Sequence, residues 1–147
     1  MYPIMVDLSK KKLVVVGGGK IALRKTNALL QAGGSPLVIA PHFDDEFEHL
    51  EDVQCIKQTY SRALVKEAHM IFACTDSHPV NQQIVDEAQD WQWVNDCSEK
   101  SNSDFFSMAT IEQELGLIAL SSYGRSPADT KEAKQRLLQL LDNQAIF

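Results

Sequence analysis

Apolar and polar stretches alternate along the chain and divide it into short strand-like and helix-like segments. Tyr2–Leu8 is apolar-rich and precedes the polar turn Ser9–Lys12, which marks it as an edge piece beside the first strand. Leu13–Val16, four apolar residues of which three are β-branched, predicts a buried strand running directly into a glycine turn. Lys20–Ala32 predicts a helix with Leu23, Leu29 and Leu30 facing inward, and Gly33-Gly34 supplies the left-handed backbone that ends it. Pro36–Ala40 predicts a second strand, stopped by Pro41. Phe43–Glu51 is acidic and predicts a helix, while Val53–Tyr60 alternates weakly as a strand. A helical turn at Ala63–Ala68 leads to a buried strand at Met70–Cys74. Pro79–Gln89 predicts a helix with Val80, Ile84, Val85 and Ala88 at helical spacing, followed by a strand at Trp91–Cys97. This rhythm implies a mostly parallel sheet with right-handed crossovers.

After about Asp104 the pattern changes. The apolar runs Phe105–Ile111 and Leu117–Ser121 flank a short polar turn containing Gly116 and predict an antiparallel hairpin. A loop, Ser122–Pro127, then starts a helix running to about Asp142, with Ser126 as N-cap, Pro127 at the first helical position and Asp129 in the first turn. Leu137, Leu138, Leu140 and Leu141 give this helix an apolar side that must pack on the hairpin, on a partner chain, or on both. The expected architecture is α/β: a Rossmann-type mostly parallel sheet over residues 1–104, with a C-terminal β-hairpin plus helix as dimerisation element over 105–147.

The 147 residues suffice for one proper core and a small second lobe. A net charge of −6 argues against a general nucleic-acid binder, which needs a basic face. No apolar run reaches membrane-spanning length, and the N-terminus lacks a basic segment followed by an apolar one. Cys55, Cys74 and Cys97 are odd in number and widely spaced, and read as reduced cytoplasmic thiols rather than a disulfide framework or a metal site. No bound metal is expected.

The candidate chemistry starts at the glycine turn. A buried strand feeding Gly17, Gly18 and Gly19 and then a helix N-terminus is the physical recipe for holding a dinucleotide pyrophosphate. Gly17 permits the tight turn, Gly19 lets the backbone approach phosphates, and Ala22 keeps helix and strand close. The second strand ends in Ala40-Pro41-His42 where many such proteins carry an acidic residue for ribose hydroxyls, and Asp44 and Asp45 come late for that role. Thr75-Asp76 lies just past a buried strand, where ligand contacts are found; Asp76 or Ser77 can equally cap the next helix. Asn95 and Asp96 to Glu99 close the following strand at the same sheet edge and are candidates for proton transfer or substrate orientation. Gly124-Arg125-Ser126-Pro127 offers a second glycine turn into a helix, suited to carboxylates.

Taken in order, several segments resemble the precorrin-2 dehydrogenase family, which also forms the N-terminal half of bifunctional sirohaem synthases. They are Tyr2–Leu8, Val14–Lys25, Ala40-Pro41, Ala73–Asp76 with Val80-Asn81, Val94-Asn95, Asp104-Phe105 and Ser121–Pro127. The resemblance implies a homodimeric, NAD-dependent enzyme that oxidises precorrin-2, a tetrapyrrole, to sirohydrochlorin; some members also insert iron. It implies NAD contacts at Lys20-Ile21 and Pro41-His42, and a tetrapyrrole pocket near Asn95, Ser122 and the Gly124, Arg125, Ser126 loop. The position held in several members by a catalytic aspartate falls on Ser98, which leaves that role vacant or passes it to Asp96, Glu99 or Asp104.

Two further departures stand out. Tyr123 occupies a glycine position of the family's loop, and the further helical lobe of family members has no counterpart after the C-terminal helix. An open cleft is therefore expected. A non-catalytic dinucleotide or tetrapyrrole sensor on the same fold is the rival reading.

Overall fold

The structure is a computed structural model that describes residues 1–114, 116–123 and 125–144. It divides into two compact units, Pro3–Phe105 and a second containing Met1–Tyr2 with the chain from Phe106 onward.

The first unit is built on five parallel strands: β1 (Leu13–Val16), β2 (Leu37–Ala40), β3 (Gln54–Lys57), β4 (Met70–Ala73) and β5 (Trp93–Asp96). Their spatial order is β3-β2-β1-β4-β5, so the order reverses between β1 and β4. Ligands bind at such a reversal, because the loops leaving the two neighbouring strands turn to opposite faces and leave a crevice. Helix α1 (Lys20–Gln31) follows β1, the short α2 (Arg62–Val65) precedes β4, and α3 (His78–Glu87) connects β4 to β5.

All four residues of β1 are buried because both faces of the sheet are covered. Leu13 and Val15 join Ala22, Leu23 and Leu29 of α1 on one face; Val14 and Val16 join Val65, Ala68 and Ile84 on the other. Leu23 and Leu29 are buried while Leu30 is only half-buried, and Gly33 ends α1 with φ +77°. The acidic Phe43–Glu51 segment is not an α-helix. It holds one 3-10 turn, Asp45–His49, from which Phe47 reaches the core. Tyr2–Leu8 contributes no strand, although Val6 and Leu8 pack against the α1 side of the core.

The free edge of β5 is covered by the chain folding back on it. Asp104 N–H donates to Val94 O (2.8 Å) and the Asp104 carboxylate accepts from Val94 N–H (2.7 Å), replacing the ladder partner this edge lacks. Phe105 then packs edge-on against Phe72, centroids 5.3 Å apart.

In the second unit β6 (Ala109–Gln113) pairs antiparallel with β7 (Gly116–Leu120), and α4 (Pro127–Gln144) lies against both. Ser126 caps α4, its hydroxyl accepting from Asp129 N–H at 3.1 Å. The first hairpin strand starts at Ala109, four residues after the apolar run that predicts it begins, because Phe105 belongs to the other unit. Among the described residues, no helix is long and apolar enough to cross a membrane.

Candidate functional site

The C-terminal ends of β1, β2 and β4 surround a cavity of about 700 Å³. Gly17, Gly18, Gly19, Lys20, Ile21, Ala40, Pro41, His42, Thr75 and Asp76 all line it, and they come from three separate strand ends. Val16, Ile39 and Cys74 supply apolar wall, which suits a ligand with a flat ring and a few polar contacts.

Each glycine has its own reason. Gly17 adopts φ +133°, and a Cβ there would stand 2.4 Å from the Cys74 carbonyl oxygen. A Cβ on Gly18 would meet His42 O at 2.0 Å. The turn is pinned on this side by Gly17 N–H to Ile39 O (2.8 Å) and Asp44 N–H to Gly18 O (2.7 Å). At Gly19 a Cβ meets nothing within 4 Å, and the backbone (φ −89°, ψ −171°) is open to any residue. The fold makes no demand for glycine at 19, whereas a phosphate group drawn close to the backbone does. Gly19 is also the N-cap of α1, and no side chain caps that helix. Its positive N-terminal end therefore lies at the cavity wall without a built-in carboxylate or hydroxyl. These residues fit a dinucleotide pyrophosphate.

Thr75 is held by Asn81, a buried residue of α3 to which the sequence alone gives no role. Asn81 Oδ1 accepts from Thr75 N–H (3.1 Å) and Thr75 Oγ1–H (2.6 Å), while its amide donates to Thr75 O (3.1 Å) and Ser98 Oγ (3.1 Å). A fully buried polar side chain is the signal, but it is visible only once burial is known. Asn81→Ala strands the Thr75 amide and is expected to cost roughly 3 kcal/mol, read by urea unfolding. Neither Asp76 nor Ser77 caps α3: Ser77 occupies the N-cap position with no side-chain cap bond. Asp76 is among the residues that line the cavity. Thr59, Tyr60, Val80 and Gln83 also line the cavity, and no ligand-binding motif in the sequence marks them. Tyr60 donates to Glu87 at 2.7 Å; its burial and that carboxylate push the phenol well above its ordinary range.

The residues at the end of β5 and in the loop after it do not line the cavity. Asn95 is buried with its amide donated to Phe105 O (3.0 Å), a structural tie rather than the open contact expected for a substrate ligand. Asp96 is likewise committed: Oδ1 accepts from Ser98 N–H (2.8 Å), Ser98 Oγ–H (2.7 Å) and Glu99 N–H (3.2 Å), and Oδ2 from Asn102 (3.2 Å). Burial works to raise its pKa, but these donors from Ser98, Asn102 and Glu99 outweigh it and hold the carboxyl below the ordinary value. Such a carboxylate is a poor base. With the folded-state pKa below the unfolded one, its contribution to stability is present above the ordinary carboxylate range and is lost as pH falls through about 4 and below. Asp96→Asn is expected to flatten that acid limb in a pH series of thermal melts. Asp104 is spent on Val94, as described above. Exposed Ser98 also faces His78 Nδ1 at 3.3 Å, so a hydroxyl-imidazole pair stands beside the strand end.

Of the loop expected at the substrate pocket, Gly124 lies outside the described residues. Ser122, Arg125 and Ser126 belong to the second unit, where they build the start of α4. Ser122 Oγ accepts from Ser126 N–H (3.0 Å), and Arg125 Nε–H donates to Ser122 O (3.2 Å). Tyr123 takes φ +55°, the left-handed conformation that a glycine adopts freely, and its ring lies under the Arg125 guanidinium, 5.9 Å away.

Residues 4–109 match a family described as "Putative NAD(P)-binding". The chain is 30% identical over 146 residues to "Precorrin-2 dehydrogenase" of Bacillus subtilis (strain 168), covering 97% of this chain and 90% of that protein. The chain belongs to the precorrin-2 dehydrogenase and siroheme synthase N-terminal domain family. It is 32% identical to "Siroheme synthase" of Actinobacillus pleuropneumoniae serotype 3 (strain JL03), over 95% of this chain but only 29% of that protein. Among solved structures it is similar to "SirC, precorrin-2 dehydrogenase", with a TM-score of 0.82 at 28% identity, covering 93% of this chain and 69% of that one. The chain is thus a precorrin-2 dehydrogenase-like protein whose residues 4–109 form a putative NAD(P)-binding domain.

Proposed function

We propose that this protein is an NAD-dependent precorrin-2 dehydrogenase that oxidises precorrin-2 to sirohydrochlorin and works as a homodimer. The observation that carries the reading is Gly19: a glycine without a structural reason, at an uncapped helix end, in the wall of a cavity at the strand reversal. When bound, the nicotinamide supplies the hydride acceptor.

Everything else falls to the chain. The α1 amides and Lys20 hold the pyrophosphate, and Pro41 and His42 form the rim at the adenosine end, where Asp44 also lines the cavity. As an acidic residue of the lining, Asp44 would disfavour the extra phosphate of NADP, which favours NAD. Thr75, set by Asn81, and Asp76 beside it orient the reactive end.

Near β5, the Ser98 hydroxyl donates to Asp96 and accepts from Asn81, so Ser98 positions rather than abstracts. Asp104 maintains the strand edge. His78 Nδ1, 3.3 Å from Ser98 Oγ, is the imidazole at this position. Ser122, Arg125 and Ser126, with Gly124, would meet the carboxylates of the tetrapyrrole. Leu117 and Leu140, exposed on the hairpin-helix unit, are apolar surface suited to the second subunit, and sedimentation at working concentration tests this.

The deciding assay mixes purified protein, precorrin-2 and NAD+. NADH is expected to appear together with the sirohydrochlorin spectrum. Binding of both ligands without NADH would instead favour a sensor or carrier, a reading supported by the hydroxyl at 98, whose hydrogen is given to Asp96.

A further inference from the structure

Cys74 and Cys97 are 23 residues apart in sequence, yet their sulfurs stand 3.0 Å apart and share a hydrogen bond. The parallel pairing of β4 with β5 brings them together. Ala73 and Asp96 are register partners, and Cys97 N–H donates to Ala73 O at 2.9 Å, so the two cysteines form the next cross-strand pair. Neighbouring parallel strands run about 4.8 Å apart. That lies inside the Cα separation of roughly 4.4–6.8 Å that a disulfide spans. Both side chains turn to the α1 face of the sheet. The third cysteine, Cys55, is exposed on edge strand β3.

The two thiols differ in access. Cys74 is 6% exposed and lines the dinucleotide cavity, while Cys97 is only partly buried. The hydrogen bond from Cys74, together with Lys25 and Arg24, draws the Cys97 thiol below its ordinary pKa, which makes it the stronger thiolate of the pair.

We propose that Cys74 and Cys97 are a reversible dithiol-disulfide couple in the wall of the cofactor cavity, oxidised by a peroxide. The Cys97 thiolate attacks one peroxide oxygen, the O–O bond breaks, and the departing hydroxide takes up a proton to become water. The resulting Cys97 sulfenic acid is attacked by the Cys74 sulfur; the S–S bond forms, the S–O bond breaks, and the hydroxyl leaves as water with the Cys74 proton. Two electrons pass from the thiols to the peroxide, and a dithiol reductant reverses the change. Two thiols with both partners in place stop at the disulfide, whereas an accessible thiolate without a partner continues up the oxidation ladder and a buried thiol such as Cys74 alone reacts little.

The test uses the reduced full chain, hydrogen peroxide, and alkylation under denaturing conditions. One tryptic peptide, residues 67–100, contains both cysteines and no internal Lys or Arg. It is expected to become lighter by two hydrogen atoms and to take up no alkylating reagent, with both alkylations restored by dithiothreitol. In Cys97→Ser, Cys74 is expected to stay fully alkylatable after the same treatment. The proposal is overturned if the wild-type peptide remains doubly alkylated while Cys55 is consumed. It is equally overturned if Cys97 ends as sulfinic acid with Cys74 still a thiol. Because the wild-type readout stands alone, a variant that fails to fold leaves the result decisive.

Discussion

Gly19→Asp is expected to abolish NAD binding, by about 100-fold or more, while leaving the protein as stable as before or slightly more so. The two effects have opposite signs for a clear reason. A Cβ at this position meets nothing within 4 Å, and φ −89° strains no side chain. Aspartate is moreover a favoured N-cap, worth roughly a few tenths of a kcal/mol over glycine. The same carboxylate occupies the space kept for the pyrophosphate. Like charges brought together cost several kcal/mol, and about 2.7 kcal/mol already amounts to 100-fold in affinity. Isothermal titration with NAD+ beside a thermal melt reads both. Retained affinity in a folded variant would remove the site from the glycine turn.

The neighbouring substitution fails in the other way. Gly18→Ala is expected to lose roughly 3 kcal/mol or more of stability, the upper part of the range for overpacking. The new methyl would lie 2.0 Å from His42 O and 2.8 Å from Ala40 Cβ, and the carbonyl is backbone that cannot turn aside. The midpoint of urea unfolding should fall at unchanged slope. Gly17→Ala should behave similarly, since it adds the strain of φ +133° to a contact with Cys74 O. A Gly18→Ala protein with wild-type stability would mean that the turn does not pack on the end of β2 as described. Together the three glycines are expected to separate binding from folding: the chain itself needs Gly17 and Gly18, and the proposed ligand needs Gly19.

Within the Pro3–Phe105 unit the elements were legible because each depends on neighbours in sequence. Leu13–Val16 begins and ends where the apolar run does, and α1 closes at Gly33 because that residue alone there takes a positive φ cheaply. Where a residue's partner lies far along the chain, local pattern misled. The apolar run Phe105–Ile111 reads as one strand, but Phe105 spends its ring on Phe72 and Trp93 at the sheet edge, and pairing with β7 starts only at Ala109. The acidic Phe43–Glu51 segment reads as a helix, yet it is reduced to a single turn, with Asp44 N–H tied to Gly18 O at its start. Asn95, Asp96 and Asp104 looked like open polar groups at a strand end; the loop after β5 uses all three to hold itself to the sheet.

The sequence by itself determined the strand-glycine-helix unit, the alternation that makes a parallel sheet, and the glycine turn to which we assign dinucleotide binding. Short-range sterics and burial periodicity suffice for those. Only the tertiary structure decided that Gly18 is needed by the His42 carbonyl, that Asn81 sets Thr75, and that Cys74 meets Cys97. Each of those depends on which strands become neighbours and in what register, a long-range choice that no local run of residues encodes.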